Sequence, residues 1–288
     1  MSEIRYSRGL SPRQVVARGL GVIVIVSALV LMGDAVSAAG PLTPLAFLGA
    51  FLLLLVNILG YIELASRGRQ LGSAYSHVHE AEGEWLAFLT GWSLALSGLG
   101  LCALLAQGFG IQVTILLRDH LNLDLPVWPL AAGLVLLVVT NNAVGTREGR
   151  RGLVTASLLL ILLLVGFTLL ALPAIDLANY TGQPRDWGRA VSVVMASFVG
   201  LEITATLQNE MRSRSRAASW ALLLTPVLAT LITTLVALIV IGVLGTDTLR
   251  GSRSPLALFG ASVAGGAGRP LILGAGGLAL ALALNSAF

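Results

Sequence analysis

Three carboxylates interrupt long apolar runs of this sequence, and each is a candidate for chemistry in an apolar environment. They are Asp34, Glu63 and Glu202. An ionisable group surrounded by hydrocarbon is costly, so its presence there by default indicates a functional site. Glu63 lies close to Arg67, which favours an ion pair. For Asp34, a functional role and a role at the start of a half-helix are equal alternatives. We expect Glu202 to face a polar cavity.

Small residues interrupt the same apolar runs near their middles. The first run breaks at Ser27–Ala28 and again just before Asp34, and a later run breaks at Val199–Gly200, next to Glu202. Hydrocarbon offers no partner to a free backbone N–H or C=O, so a spanning helix opens only where another group bonds to it. In transporters that group is the substrate or a coupling ion near the bilayer midplane. The pair of interrupted runs therefore predicts a transporter.

Apolar residues dominate the whole chain of 288 residues. They make up 56% of it, the mean hydropathy is +0.88 and only 11% of residues are charged, whereas a soluble domain carries about 25% charged residues. Too few polar groups exist to cover a water-facing surface, so most of the surface must face lipid. Windows of about 20 apolar residues predict eight spans, near 19–40, 42–65, 86–117, 127–145, 153–173, 190–208, 217–244 and 270–288.

Arginine supplies all 18 basic residues and predicts the orientation of these spans. With a cytoplasmic N-terminus, twelve arginines fall in inner loops and six in outer loops, as the positive-inside rule requires. The sequence therefore predicts a multi-pass protein of the cytoplasmic membrane. Because the arginines flank the membrane instead of forming one face, the predicted partner is the lipid bilayer and not nucleic acid. A homo-oligomer is compatible with the sequence.

Enzyme, metal and cofactor signatures are missing from the sequence. Cys102 is the sole cysteine, so no disulfide forms within the chain and no cysteine metal site is expected. His77 and His79 are two residues apart and do not share a helical face, unlike the i, i+4 pairs of zinc helices. No Ser–His–Asp arrangement or glycine-rich phosphate loop is present. We expect no catalytic site, no metal and no cofactor.

Short motifs run along nearly the whole chain in a specific order and spacing. Residues 39–41 (Ala-Gly-Pro) precede the second span, 61–65 (Tyr-Ile-Glu-Leu-Ala) end it, and 87–92 (Ala-Phe-Leu-Thr-Gly-Trp) open the third. Residues 198–202 are Phe-Val-Gly-Leu-Glu and residues 283–286 are Ala-Leu-Asn-Ser. In this order the motifs resemble those of the amino acid–polyamine–organocation (APC) superfamily of permeases.

The resemblance implies an all-α polytopic membrane protein with a LeuT-type fold, in which two five-helix repeats have inverted topology and helices one and six are unwound at their centres. Residues 1–288 would form one transmembrane domain, with 19–173 as the first repeat and 190–288 as helices six to eight of the second. The implied function is secondary transport of amino acids or related amines and polyamines by alternating access. The resemblance assigns substrate binding to Val26, Ser27, Ala28, Phe198, Val199, Gly200 and Glu202. Gating or proton linkage is predicted for Asp34 and Glu202, as ionisable groups in apolar runs, and for Ala196, from its place in the family pattern.

The sequence departs from the family pattern in helix one and in length. Residues 25–28 are Ile-Val-Ser-Ala where the family commonly has Gly-Ser-Gly-Ile, and β-branched residues do not favour unwound backbone. Ala196 stands where some relatives carry an aromatic gate. The region near Leu160 has no lysine for proton coupling. Since the implied fold needs helices nine and ten, we expect an N-terminal portion, incomplete at its C-terminus. The alternative function is a truncated, non-transporting membrane protein that acts as a remnant or as a regulatory or assembly subunit.

Overall fold

Helices account for nearly all of the chain in the computed structural model, which describes residues 11–66, 74–143, 149–181, 186–207 and 216–287. No β-strand occurs in these residues. Short 3-10 turns and one π-helical segment interrupt the α-helices. The α-helices are α1 (Pro12–Ile25), α2 (Met32–Ala39), α3 (Thr43–Ser66), α4 (Ala74–Glu82), α5 (Glu84–Leu121), α6 (Val127–Ala143), α7 (Gly149–Ala171), α8 (Trp187–Met195), α9 (Gly200–Leu207), α10 (Arg216–Leu249) and α11 (Pro255–Ala287).

Six helical stretches of the described residues are long and apolar enough to cross a membrane. The first, Pro12–Glu63, is 52 residues long and changes direction at Gly40, where φ is 59° and ψ is −128°. It therefore contains two of the predicted spans. Together with α6, an apolar helix of 17 residues, these stretches account for the eight spans predicted from hydropathy. The chain is an all-α, multi-pass membrane protein, as predicted.

The first span lies at the centre of the bundle. From Arg18 to Ile25 every residue of α1 is buried, and α1 contacts α7, α9, α10 and α11. Two glycines permit this close packing. A side-chain carbon on Gly19 would meet the hydroxyl of Thr204, and one on Gly21 would meet the hydroxyl of Ser157. A residue with a side chain at either position would push the neighbouring helix away.

The last described helix folds back on itself. Ala264 and Gly265 leave the helical conformation, with φ of 58° at Gly265. A side-chain carbon on Gly268 would meet the carbonyl oxygen of Gly260, although eight residues of straight helix would hold these positions about 12 Å apart. Residues 255–263 and 266–287 therefore form a hairpin, which we call the α11 hairpin. The turn of the hairpin lies within 261–268, a stretch rich in glycine and alanine.

The third span is the longest single helix. α5 has 38 residues, and its two ends carry distinct features. At its start, the exposed rings of Trp85, Phe88 and Trp92 pack in sequence, with centroids 6.2 and 6.3 Å apart. At its far end, Asp119 pairs with Arg269 of the α11 hairpin: Nε lies 2.7 Å from Oδ2, and Nη2 donates to Oδ1 at 3.3 Å. This two-point contact ties α5 to the hairpin.

A short connection after α7 packs against a kink in α10. Gly245 in α10 has φ of 73° and interrupts the helix, so nearby carbonyl groups need other donors. The backbone N–H of Asp176 and the side-chain amide of Asn179 both donate to the carbonyl of Gly242, at 2.9 and 2.8 Å. The hydroxyl of Tyr180 donates to the carbonyl of Leu238 at 2.6 Å. The connection thus stabilises the kink.

Candidate functional site

Helices one and six both change their hydrogen-bond register near the predicted breaks. Between α1 and α2 the chain forms a π-helix over Val26–Leu31, which contains Ser27 and Ala28. Between α8 and α9 it forms a 3-10 turn over Ala196–Val199, directly before Gly200. The expected unwinding is therefore replaced by wider and tighter helical turns. Since nearly all of the π segment is buried, its backbone groups must stay hydrogen-bonded.

The two irregular segments lie next to each other in the bundle. The π segment contacts the 3-10 turn, and α1 contacts α9. Gly200 makes this possible, because a side-chain carbon there would come within 2.9 Å of Ile23 and 3.2 Å of Val22. Gly200 and Ile23, which are 177 positions apart in the sequence, thus bring both register changes to one place. In membrane proteins, irregular backbone at membrane depth is tolerated where it is buried in protein or lines a cavity.

A cavity of about 590 Å³ lies beside this contact, between α3, α5 and the junction of α8 with α9. Its volume is within the range of small-molecule sites, which span about 300–1,000 Å³. One end of the cavity reaches Ala74 on α4. The described residues that line it are Leu54, Asn57, Tyr61, Ala74, Thr90, Ser93, Leu94, Ser97, Met195, Phe198, Val199, Leu201 and Glu202.

Glu202 is held in the cavity wall by Tyr61. The phenol Oη lies 2.7 Å from Oε1 and 2.8 Å from Oε2 of the carboxylate, so its one proton is shared between the two oxygens. Glu202 itself is half-buried in the first turn of α9. A carboxylate has about four acceptor positions, and Tyr61 uses only part of that capacity. The remaining lone pairs can accept hydrogen bonds from a bound donor.

The polar groups around Glu202 are neutral. Asn57, Thr90, Ser93 and Ser97 contribute an amide and three hydroxyls to the lining. Thr90 and Ser97 donate to carbonyls of their own helix at 2.8 and 2.9 Å, which leaves their oxygens able to accept. Among the described residues that line the cavity, Glu202 is the one charged group. The wall therefore favours a cationic or hydrogen-bond-donating ligand over an anion.

The predicted substrate-binding residues divide into two groups. Phe198, Val199 and Glu202 line the cavity. Gly200 lies directly beside them, at the contact with α1. Val26, Ser27 and Ala28 do not line this cavity: their side chains are buried in the π segment, with Ser27 only 1% exposed. A role of these three residues in binding remains a prediction.

The two other predicted gating positions lie outside the cavity lining. Asp34 is exposed, in the first turn of α2, where a negative charge interacts favourably with the positive end of the helix dipole. Ala196 is half-buried at the start of the 3-10 turn. Gating and proton linkage at these positions remain predictions.

Several lining residues were not singled out as site residues by the sequence. Tyr61 was noted only as part of a motif, and Asn57 was not predicted to line a site. The sequence did not predict a site role for Thr90, Ser93 or Ser97, although Thr90 lies in the motif that opens the third span. Their positions at 90, 93 and 97 follow the i, i+3, i+7 spacing of one helical face, which is the signal that reveals this wall.

The end of the bundle opposite α4 is closed by packed backbone. A side-chain carbon on Gly33 of α2 would meet the carbonyl oxygen of Ser252. The N–H of Gly251 donates to the hydroxyl of Ser37 at 3.3 Å. Close by, Ser254 donates to the buried amide oxygen of Gln112 on α5 at 3.2 Å. The segment before the α11 hairpin therefore covers α2 and α5 at this end.

Comparison with known proteins agrees with this arrangement. A family model described as amino acid permease matches residues 10–288. The chain is 23% identical over 261 residues to the branched-chain amino acid permease BcaP of Bacillus subtilis, which covers 83% of this chain and 56% of that protein. It is 28% identical over 242 residues to the vacuolar cationic amino acid transporter 2 of Arabidopsis thaliana, covering 73% of this chain and 37% of that protein.

The helical bundle defines an all-α, multi-pass membrane protein. This chain belongs to the amino acid permease family, within the APC superfamily. It spans 56% of the length of the Bacillus relative and 37% of the length of the Arabidopsis relative. Family membership and the names of these relatives point to a transporter and not to an enzyme.

Proposed function

We propose that this chain forms the substrate-binding part of a secondary transporter, which moves amino acids or related amines and polyamines across the cytoplasmic membrane by alternating access. The observation that carries the proposal is the position of Glu202, a carboxylate facing a cavity beside the contact of the two irregular helices. Ionisable groups at membrane depth mark substrate and ion pathways.

The chemistry of the cavity suggests how a substrate binds. An ammonium group would be held by Glu202, because charge-assisted hydrogen bonds are the strong ones and no basic group competes among the described lining residues. The neutral polar groups on α3 and α5 would contact a second polar end. Leu94, Met195 and Phe198 offer apolar surface to the middle of the molecule. One relative is named for branched-chain amino acids, whose side chains would suit the apolar surface. Another is named for cationic amino acids, which would suit the charge of Glu202.

The asymmetry of the bundle supports an inward-facing state. The cavity reaches α4, which the arginine distribution places on the cytoplasmic side, while the segment around Gly251–Ser254 covers the opposite end. Alternating access would then require the segment Gly251–Ser254 to move away from α2 and α5. In a LeuT-type fold, helices one to three of the first repeat, 19–173, superpose on helices six to eight of the partial repeat, 190–288, by a rotation of about 180° about an axis in the membrane plane.

Equilibrium binding of radiolabelled leucine, lysine and putrescine to the full chain in nanodiscs tests the proposal. We expect saturable binding of at least one of them. Glu202→Gln should weaken this binding about tenfold or more, because a hydrogen bond to a charged group contributes about 1.5–3 kcal/mol. Glu80→Gln is the matched control, since Glu80 is exposed on α4 and does not line the cavity.

Two results would contradict the proposal in different ways. Saturable binding that Glu202→Gln leaves unchanged would remove Glu202 from the site but keep a binding protein. No saturable binding of any of the three compounds, with the chain shown to be folded by its unfolding transition, would favour the alternative of a non-transporting membrane protein.

A further inference from the structure

A second depression lies on the outer surface of the bundle and is lined by different helices from those around Glu202. It has a volume of about 380 Å³ and is formed where the first turns of α1 and α10 meet α7. Its lining residues include Ala17 and Leu20 of α1, Leu158 of α7, and Trp220 and Leu224 of α10. We call it the α1–α10 groove. None of its residues lines the cavity described above.

The depth of the groove follows from the positions of its residues along their helices. Arg13 and Trp220 are the second residues of two stretches long enough to span a membrane, Pro12–Glu63 and Ser219–Leu249. Leu20 is seven residues beyond Arg13, which places it about 10 Å deeper at about 1.5 Å per residue. The groove therefore runs from the level of the headgroups into the hydrocarbon. Trp220 is 61% exposed, as aromatic residues at the membrane interface commonly are.

The mouth of the groove carries positive charge. Arg13 is exposed and lines the rim, whereas the deeper lining is apolar. In the sequence, Arg5 and Arg8 precede α1, and Arg212, Arg214 and Arg216 lead into α10. In the sequence these arginines flank the two helices, α1 and α10, that line the groove. Clusters of arginine beside membrane helices attract anionic headgroups.

We propose that the α1–α10 groove binds one anionic phospholipid, with an acyl chain along Ala17, Leu20, Leu158 and Leu224 and the phosphate at Arg13. An acyl chain matches a narrow apolar groove that begins at headgroup level and extends into the hydrocarbon. Arg13 supplies the charged donor that a phosphate accepts from. An extended peptide would bring backbone N–H and C=O groups into this apolar lining without partners, whereas an acyl chain has no such groups.

Native mass spectrometry of the full chain in detergent tests the proposal. The chain is titrated separately with phosphatidylglycerol and with phosphatidylcholine of the same acyl chains. We expect one phosphatidylglycerol molecule to be retained with an apparent affinity at least about fivefold higher than that of phosphatidylcholine, since one arginine near the surface contributes about that factor. Millimolar inorganic phosphate should not displace it, because phosphate lacks the acyl chain.

Two variants separate the headgroup from the chain. Arg13→Gln should abolish the preference for phosphatidylglycerol and leave the binding of phosphatidylcholine unchanged. Ala17→Phe fills the groove and should reduce the binding of both lipids. The matched controls are Arg118→Gln, at the exposed far end of α5, and Ala132→Phe, on the exposed face of α6. Both controls should behave as the unchanged protein does.

Three results would overturn the proposal. The first is equal affinity for the two lipids in the unchanged protein. The second is displacement of phosphatidylglycerol by phosphate alone. The third is retention of both lipids by a folded Ala17→Phe variant; if that variant does not fold, an unaltered preference in Arg13→Gln contradicts the proposal by itself. Substrate binding at Glu202 plays no part in these measurements.

Discussion

The hydrogen bond between Tyr61 of α3 and Glu202 of α9 joins residues that are 141 positions apart in the sequence. We expect a double-mutant cycle of Tyr61→Phe and Glu202→Gln to give a coupling free energy of about 0.5–1.5 kcal/mol, the range measured for hydrogen bonds between membrane helices. The unfolding free energy of the four proteins in mixed micelles is the measurement.

The matched control for this cycle is Tyr75→Phe. Tyr75 is exposed on α4, and its ring stacks on His79 with centroids 6.0 Å apart, so the substitution keeps the ring and removes only the hydroxyl. Combined with Glu202→Gln, it should give no coupling. A coupling energy near zero for Tyr61 would mean that its hydroxyl does not position the carboxylate.

Tyr180 offers a prediction about pH. Burial raises the pKa of its phenol above the ordinary value of about 10, and the neutral phenol donates to Leu238. A raised folded-state pKa adds stability that is present below pH 10 and is lost as the pH rises through the folded-state pKa. Tyr180→Phe should therefore cost about 1 kcal/mol at pH 7, and this cost should shrink above pH 10.

Unfolding of both proteins between pH 7 and pH 11 measures this difference. The cost of Tyr75→Phe, followed in parallel, should stay small at every pH, because Tyr75 is exposed. A constant difference between Tyr180→Phe and the unchanged protein across the whole range would show that ionisation of Tyr180 does not affect the kink in α10.

At the residue scale, the sequence identifies a functional carboxylate more readily than the residue that hydrogen-bonds to it. Glu202 could be selected because a carboxylate in an apolar run is rare and costly. Its partner Tyr61 could not, because tyrosine is common near membrane interfaces and nothing local relates positions so far apart. For Val26, Ser27 and Ala28 the sequence pattern predicted an irregular helix, but it could not predict whether their side chains face the cavity.

At the scale of helices, Gly200 controls how closely α9 approaches α1. A side-chain carbon there would lie 2.9 Å from Ile23, a fully packed residue, so the two helices would have to separate. We expect Gly200→Ala to lower the free energy of unfolding by about 1–3 kcal/mol, as overpacked cores do. Substrate binding should weaken as well, because Phe198, Val199 and Glu202 move with α9.

Gly60→Ala is the matched control for this prediction. Gly60 lies within α3, and no atom lies within 4 Å of the position a side-chain carbon would take. Alanine is the better helix former, so this variant should be as stable as the unchanged protein or slightly more stable. If Gly200→Ala behaves in the same way, the contact between α1 and α9 is not tight.

Hydropathy predicted the spans because lipid requires about 20 apolar residues for each crossing, and this requirement is visible in one dimension. The turn at 261–268 was equally visible from its glycines. The form of the breaks was not. The same pattern of small residues is compatible with unwound backbone and with a π or 3-10 turn. Which of these conformations forms depends on whether neighbouring helices bury the segment, as they bury the π segment here.

For the whole molecule, the arginine distribution predicts which connections face the cytoplasm. In a Cys102→Ser background, Asp124→Cys places a thiol between α5 and α6, and Glu82→Cys places one at the end of α4. An impermeant maleimide added to intact cells should label the thiol at 124. It should reach the thiol at 82 only after permeabilisation, because the positive-inside rule puts α4 in the cytoplasm. The reverse pattern would invert the predicted orientation.

The length of α5 has a consequence for the membrane that surrounds the protein. From Phe88, in the aromatic cluster at one end, to Asp119, in the ion pair at the other, there are 31 residues, or about 47 Å of helix. A bilayer with its headgroups is about 40–45 Å thick, so the two ends of α5 lie near the two membrane surfaces. A thinner bilayer must tilt α5 further. Thr90, Ser93 and Ser97 belong to the same helix, so such a tilt moves one wall of the cavity. The thickness of the membrane therefore affects the shape of the binding site.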